Sequence, residues 1–573
     1  MRILFLHPGD RPSGGQRATQ TWDRVIDLGF AGEETYQRWS AHFGCPVGAL
    51  PTLDIPEMRK VRASLFSALG RLTDSQGLDW WELIGIRFHE SLERIAALRK
   101  AAPGFNAEDE LFFSRPCFHA QVAAIVFRGN VRCLARGKSS LGAFRRLSFA
   151  PFKFGFAQFL QIAGDKYDAG YRVRRLTAPR VERTENPITL LPSAYVNASR
   201  TALAYAESLP DQSFLLVTTR RSGRLLQCPK NVRVERLASY APGRAKPEEL
   251  QFLLSTWSAI RKEIAAEPYL SILSQIGLLN SVPHFLQEGL AIRDAWLRVF
   301  SVERVRSVLC TDDSNPYTRI PLLIASRRNL PAIACHHGAL DGRHLIKRCH
   351  PEITLLAKGE MERDYLTARC GIREEQVQVG APAIAKQDLP RADKDAILFF
   401  SEPYELSGGR CQEFYGETLP RLMDLATANR RRLILKVHPQ ESRREREALA
   451  RSVLSSEQLK HFQITDGVLR DDLLNRAWVA VTVMSTTAVE CALHGIPVFL
   501  CRWLDHSNYG YLGQFARFGV GVPLMSARDI DRIPEYLDGF APPDRCQLLQ
   551  PISRERLQEL ITGSRIPTLA AAG

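Results

Sequence analysis

The 12 cysteines of this 573-residue chain run from Cys45 to Cys546 without one C-x-x-C pair. A disulfide framework or a structural zinc site needs closer and more regular spacing, so both are excluded. Cys310, Cys335, Cys491 and Cys501 sit inside apolar runs and read as small buried hydrophobes in a reduced, cytoplasmic protein. No stretch reaches the roughly 18 uninterrupted apolar residues of a membrane span. The opening MRILFLHPGD breaks at Pro8-Gly9, too early for a signal-peptide core, and reads as a buried first strand. Also missing are H-E-x-x-H, a Walker-type loop, a convincingly placed Asp-x-Asp and a G-x-S-x-G elbow. Zinc-protease, P-loop, metal-dependent sugar-transferase and hydrolase chemistry therefore have no support. No solenoid-period repeat or low-complexity tract occurs. Nothing argues for a catalytic metal or a resident cofactor.

What is present is an ordinary globular composition with a basic surplus. Hydrophobic residues make up 45% and charged residues 24%, with 76 Lys+Arg against 62 Asp+Glu, a net charge of +14. Wholesale disorder is excluded. At roughly 150 residues per domain the length suits two to four domains. Three stretches alternate strand-like and helix-like patterns, which predicts α/β architecture with mainly parallel sheets. The first, 1–183, begins with RILFLHP and holds a long helical region, 78–100, followed by ELFFSR and VRCLA. The second, 184–392, contains ITLLPS, SFLLVTT, VRSVLCTDD, AIACHHG and EITLLAKG. A hinge, KQDLPRADKD at 386–395, precedes the third, 393–573, with AILFFSEPY, RLILKVHP, FQITDG, WVAVTVM and PVFLCRW. The expected fold is two Rossmann-like lobes, the N-terminal one enlarged by a helical, basic insertion.

The strongest chemical signal is VAVTVMSTTAVECALHG. Its apolar run reads as a strand buried on both faces, ending in Ser485, Thr486 and Thr487. Hydroxyls at a strand-to-helix turn can cap the helix and place backbone amides around an anion. At the carboxyl edge of an open α/β sheet, such a turn lies where ligands bind. Glu490, a helical turn on, can accept from ribose hydroxyls; an ordinary capped helix with a surface glutamate is the plain alternative. In LILKVHP, alternation puts Lys436 and His438 on one face of a strand end, ahead of Pro439. A cation and an imidazole there can neutralise a phosphate leaving group.

The order of these elements, Lys-x-His-Pro, an acidic turn (Asp466-Gly467, Asp471-Asp472) and then the hydroxyl turn, resembles the C-terminal, nucleotide-binding lobe of GT-B-fold glycosyltransferases. The nearest likeness is to bacterial capsule and surface-polysaccharide enzymes: sialyltransferases and Kdo transferases that use CMP-sugars, and glycerophosphotransferases of teichoic-acid synthesis. The resemblance is good over 396–503, looser over 305–382 and weak over 1–183. It implies that His438 touches the donor phosphate, that Ser485 to Thr487 hold it as well, and that no catalytic metal is needed.

Two further strand ends carry chemistry. Asp312 and Asp313 stand in CTDDSNPYTR, and His336, His337 and Asp341 in CHHGALDGRH. A carboxylate or an imidazole can act as general base toward an acceptor hydroxyl, so Asp312, Asp313 and His337 are the candidates, with His336 and Asp341 on the acceptor side. The acids read equally as a helix cap ahead of 316–328. The sialyltransferase-like families carry an acidic pair followed by Gly here, where this chain has Asp312-Asp313-Ser314 and a separate Asp341-Gly342. His337-Gly338 is similar to the His-Gly of the glycerophosphotransferase-like group. Gly14 and Gly15, after the first strand, are acceptor-side candidates or a plain turn.

Much of the positive charge falls in 132–183, and across 144–160 it interleaves with six phenylalanines. Basic and aromatic residues together suit an anionic membrane surface; a buried aromatic insertion with a basic rim is the alternative, and no nucleic-acid module accompanies the charge. The expected protein is a glycosyltransferase of surface-polysaccharide synthesis. It moves a sugar from a nucleotide-sugar donor onto a glycan or lipid-linked acceptor, in the cytoplasm or at the inner membrane face. A non-hydrolysing nucleotide-sugar 2-epimerase, whose usual Ser-Gly-Gly turn is replaced by Ser-Thr-Thr, and a non-catalytic glycan- or lipid-binding protein are the alternatives.

Overall fold

The computed structural model describes residues 1–12, 20–127, 131–134, 184–220, 227–241, 247–382, 394–404, 408–467, 469–505 and 509–563. The chain is α/β throughout, with its strands in three parallel Rossmann-like sheets. The first sheet has five strands: β1 (Arg2–Leu6), β2 (Arg24–Asp27), β3 (Val47–Ala49), β4 (Glu110–Phe113) and β5 (Val131–Cys133). Seven follow in the second: β6 (Thr184–Ser193), β7 (Ser213–Thr218), β8 (Val232–Arg236), β9 (Glu303–Cys310), β10 (Ala332–Ala334), β11 (Ile353–Ala357) and β12 (Val377–Val379). The third has six: β13 (Ala396–Phe400), β14 (Arg432–Lys436), β15 (Phe462–Thr465), β16 (Ala477–Thr482), β17 (Val498–Cys501) and β18 (Val522–Leu524).

Strand orders are β3-β2-β1-β4-β5, β12-β11-β10-β9-β6-β7-β8 and β15-β14-β13-β16-β17-β18. Each sheet winds outward from its first strand, then returns to that strand's other side. The reversal falls between β1 and β4, between β6 and β9, and between β13 and β16. At such a reversal the loops diverge and leave a crevice beyond the strands' carboxyl ends. The strands are apolar runs because both faces are covered: all of β13 and all but one residue of β16 are buried.

The chain forms two compact units whose limits differ from the three expected stretches. One comprises Met1–Asp54, Arg94–Phe144 and Lys386–Leu548, and so holds both the five- and the six-stranded sheet. The other comprises Ile55–Glu93, Arg145–Ala385 and Leu549–Gly573, around the seven-stranded sheet. The expected Rossmann-like lobes are present, and the first unit holds two sheets because 1–49 and 110–133 build one of their own. The helix Arg554–Thr562 adds Leu557 and Ile561 to the core of the seven-stranded sheet. In the same unit Trp81 stacks on Trp257 at 5.4 Å. Burying such side chains is worth roughly 1.5–3 kcal/mol each, enough to draw a distant segment to a sheet.

Residues 144–160, most of the basic stretch 132–183, most of the hinge 386–395, and Gly14 and Gly15 lie outside the described residues. No helix among the described residues is long and apolar enough to cross a membrane.

Candidate functional site

In both sheets the predicted chemistry stands at the carboxyl ends of strands at the reversal or next to it. In the six-stranded sheet, Lys436 closes β14, His438 follows two residues on, and Ser485 to Thr487 follow β16. Lys436 is buried; its Nζ donates to the carbonyls of Gly467 at 2.7 Å and Val437 at 3.0 Å. Burial pushes its pKa down, while Asp466 and Glu490 pull it up. The His438 amide donates to Ser401 Oγ at 3.0 Å and Glu441 Oε2 at 3.1 Å, and the Gln440 amide donates to His438 Nδ1 at 3.2 Å. With Nδ1 accepting, the neutral ring is assigned its proton on Nε2. Burial, then Lys436, lowers its pKa, so the ring is a neutral N–H donor at pH 7.

The hydroxyl turn is more self-contained than the sequence suggests. Ser485 Oγ accepts from the Thr487 hydroxyl at 2.9 Å and the Thr487 amide at 3.4 Å. The Ala488 and Val489 amides donate back to Ser485 and Thr486 carbonyls. The expected ring of free amides is therefore largely closed by the turn itself, and the helix behind it is short, Thr487–Leu493. Thr486 is exposed. Glu490 keeps solvent access, yet the protein around it raises its carboxyl by desolvation, with His494 and Lys436 opposing.

Glu402, which sequence reasoning missed, stands two residues past β13, at the crevice itself. Its carboxylate accepts from the Met484 amide at 2.7 Å and the Thr482 hydroxyl at 3.1 Å. Burial pushes its carboxyl up to about 7 even against those bonds. An acidic residue just beyond a buried apolar strand was the available signal.

In the seven-stranded sheet the reversal brings together residues after β6, β9 and β10. Asp312 is 2% exposed, and its Oδ2 has no hydrogen-bond partner among the described residues. Burial raises its carboxyl to about 6; Arg343 and Lys347 oppose, while Asp341 and Asp313 reinforce. The Tyr195 hydroxyl, absent from the sequence reading, lies 3.2 Å from His337 Nδ1 and interacts with Asp312. Its ring meets His337 edge-on at 4.9 Å. His336 and His337 stand 4.4 Å apart, and burial lowers their pKa values to about 4 and about 2. Both imidazoles are neutral. The cluster sets one carboxyl of raised pKa beside two neutral rings.

Asp313 and Asp341 are instead paired with cations. Asp313 accepts from Lys347 Nζ at 2.6 Å and Arg319 at 3.0 Å. Arg319 continues to Glu82 at 2.6 Å, which also meets His350 at 2.8 Å. Lys347 reaches Asp341 at 3.1 Å, and Ser314 Oγ donates to Asp341 at 2.5 Å. Although burial works to raise it, Lys347, His344 and Arg319 hold the Asp313 carboxyl at about 2. Asp341 is likewise held well below the usual range, by Lys347 first, against its burial. Asp313, Asp341 and His344 lie close enough to hold a metal ion. The Lys347 ammonium already stands between the two carboxylates, so this trio does not suit a cation.

No family profile and no curated protein matches the chain. Solved structures do. A UDP-GlcNAc 2-epimerase from Methanocaldococcus jannaschii aligns at 14% identity over 66% of this chain and all of its own, with a TM-score of 0.40. The glycosyltransferase SnogD from Streptomyces nogalater aligns at 12% over 66% and 94%, TM-score 0.34. The spinosyn rhamnosyltransferase SpnG, solved with thymidine diphosphate, aligns at 14% over 66% and 96%, TM-score 0.35. At such identities and scores these likenesses carry no weight for the activity, which rests on the residues.

Proposed function

We propose that the protein is a metal-independent glycosyltransferase that moves a sugar from a nucleotide-activated donor onto a glycan or lipid-linked acceptor in surface-polysaccharide synthesis. The observation that carries this reading is the division of chemistry between two sheet reversals. One bears a cation, an N–H-donating imidazole and hydroxyls; the other bears a single poised carboxyl. Lys436, His438 and the Ser485–Thr487 turn meet the phosphate charge that grows as the nucleotide leaves, which is where fixed donors stabilise a transition state most. Glu490, solvent-accessible beside Lys436, accepts from the ribose. Asp312 is the general base that takes the proton of an acceptor hydroxyl. A carboxyl near 6 is ionised at pH 7 yet close enough in basicity to work as a general base. Asp313 and Asp341, saturated by Lys347 and Arg319, keep the site in shape. The basic, Phe-rich 144–160 segment suits docking on the anionic face of a membrane.

The test is nucleotide release from UDP-, CMP-, GDP- and CDP-linked sugars in the presence of bacterial glycans or lipid-linked acceptors. Asp312→Asn is expected to retain donor binding and lose turnover by at least about a hundredfold. Turnover unaffected by Asp312→Asn rejects the assignment, and release of a free 2-epimer instead of transfer favours epimerase chemistry.

A further inference from the structure

Two features of the first unit have no part in the chemistry above: the carboxylate of Glu402 and the whole five-stranded sheet. They are connected. In that sheet the carboxyl ends of β1 and β2 are held by a side chain from the same unit. Arg410, from the segment after β13, donates to the carbonyls of His7 at 3.1 Å, Pro8 at 3.2 Å and Asp10 at 2.8 Å. It pairs with Asp27 at the end of β2 and lies 4.5 Å over the Trp39 ring. A guanidinium thus ties the loop after β1 to the end of β2.

From Arg410 a run of backbone bonds leads to Glu402. The Arg410 amide donates to Phe30 at 3.2 Å, and Gly409 pairs with Phe30 in a parallel bridge. The Gly409 amide donates to Tyr404 at 2.5 Å, and the Tyr404 amide to the Glu402 carbonyl at 2.7 Å. There is no slack in this crossing: a Cβ on Gly409 would stand 2.5 Å from Phe30 Cζ and 2.9 Å from Tyr404 Cβ. At its far end the Glu402 carboxylate grips Met484 and Thr482, immediately before the hydroxyl turn.

We propose that Glu402 is a positioning residue that sets the Ser485–Thr487 turn for the donor phosphate, and that the five-stranded sheet serves to hold Glu402 there through Arg410. This rests on the donor role given to that turn under Proposed function. Its physical content is a conflict of charge. An ionised Glu402 anchors the turn in the free protein but repels an arriving phosphate, so donor binding takes up a proton on Glu402. A carboxyl already raised to about 7 makes that uptake easy at neutral pH. The titratable groups coupled to Glu402 are Tyr404 and Cys501, both neutral because burial pushes them far up. On the β14 side stand Lys436, His438 and Glu441, the last held by Ser401 and Arg446.

The experiment uses the full chain and UDP-N-acetylglucosamine, CMP-sialic acid, GDP-mannose and CDP-glucose, whose phosphates do not titrate between pH 6.5 and 8.5. Calorimetric affinity of the wild type for the probe that binds is expected to fall above pH 7, approaching tenfold per pH unit as one proton must be taken up. In Glu402→Gln the affinity is expected to be flat over the same range. An unchanged pH slope in Glu402→Gln overturns the positioning role while leaving the donor reading intact. Binding of none of the probes by the wild type overturns the donor reading, and this proposal with it. The clamp is read separately, by amide exchange at Met484 in the ligand-free protein. Arg410→Lys, which keeps the charge but loses the fork, is expected to speed that exchange about tenfold or more. Trp39→Leu gives the same readout should Arg410→Lys not fold. Exchange at Met484 unchanged in the folded variant overturns the clamp.

Discussion

Arg410 and Asp27 form a two-pronged ion pair, Nε to Oδ2 and Nη2 to Oδ1 at 2.7 Å each, with neither side chain reached by solvent. They lie far apart in sequence and tie the five-stranded sheet to the segment following β13. A buried pair of this kind contributes modestly as a pair, but removing one partner strands a charge, which costs about 3–5 kcal/mol. Asp27→Asn is therefore expected to lower the urea midpoint by that equivalent. A loss under about 1 kcal/mol would mean that the guanidinium finds other acceptors.

The two neighbouring acids of the seven-stranded sheet are expected to behave oppositely. Asp312 has a folded pKa raised from 3.8 to about 6, so the stability it contributes is present below pH 3.8 and lost as pH rises through 6. Asp312→Asn should therefore hold or gain stability at pH 8 while losing turnover. Asp313 is held at about 2. Its contribution is present above pH 3.8 and lost as pH falls through 2. Asp313→Asn strips Lys347 and Arg319 of a buried partner and should unfold several kcal/mol more easily at pH 7. Thermal melts of the two variants at pH 5 and 8 separate these outcomes.

If Asp312 is the base, the rate carries its titration. Turnover at saturating donor should rise with pH and level off above about 6, the value to which burial raises the carboxyl. Asp312→Asn should abolish that acidic limb along with most of the rate. An acidic limb that persists in the residual activity assigns it to another group.

His438 presents a neutral N–H beside Lys436. A hydrogen bond to a charged group is worth roughly 1.5–3 kcal/mol, so His438→Ala should weaken donor binding about ten- to a hundredfold. Its fold should change little, because both bonds from the His438 backbone amide remain and only the Gln440 amide loses its acceptor. Calorimetry together with a thermal melt distinguishes lost contact from lost structure.

Gly289 sits within the helix Val282–Val302, where alanine ordinarily helps by about 1 kcal/mol. Here a Cβ would stand 2.3 Å from Trp80 Cζ3. Gly289→Ala should reverse the usual sign and destabilise by about 1–3 kcal/mol, measured by denaturant midpoint. A stabilised variant would mean that Trp80 does not wedge against this helix.

Strand identity was legible along most of the chain because buried parallel strands are short apolar runs ending in polar residues, as AILFF-SEP and RLILK-VHP are. Lys436, His438, Asp312 and His337 could be singled out for the same reason: each stands just past such a run. What the pattern could not convey was membership. Residues 55–93 and the helix Arg554–Thr562 join the unit of the seven-stranded sheet by burying Trp81, Leu557 and Ile561 against residues far from them in sequence. Nor could spacing separate Asp312 from Asp313, adjacent acids whose difference lies in Lys347 and Arg319 hydrogen-bonding to only one. Glu402 and Tyr195 escaped because a single acid or phenol after a strand looks like an ordinary loop residue. Only the sheet order places them at a reversal.

The central claim is that the carboxyl edge of the six-stranded sheet binds a nucleotide-linked sugar. Calorimetric titration of the full chain with UDP-, CMP-, GDP- and CDP-linked sugars at pH 7 tests it most directly. Saturable binding of one nucleotide class, weakened at least about tenfold in His438→Ala, is the predicted result. No heat from any of the donors at millimolar concentration, or binding indifferent to His438→Ala, contradicts it.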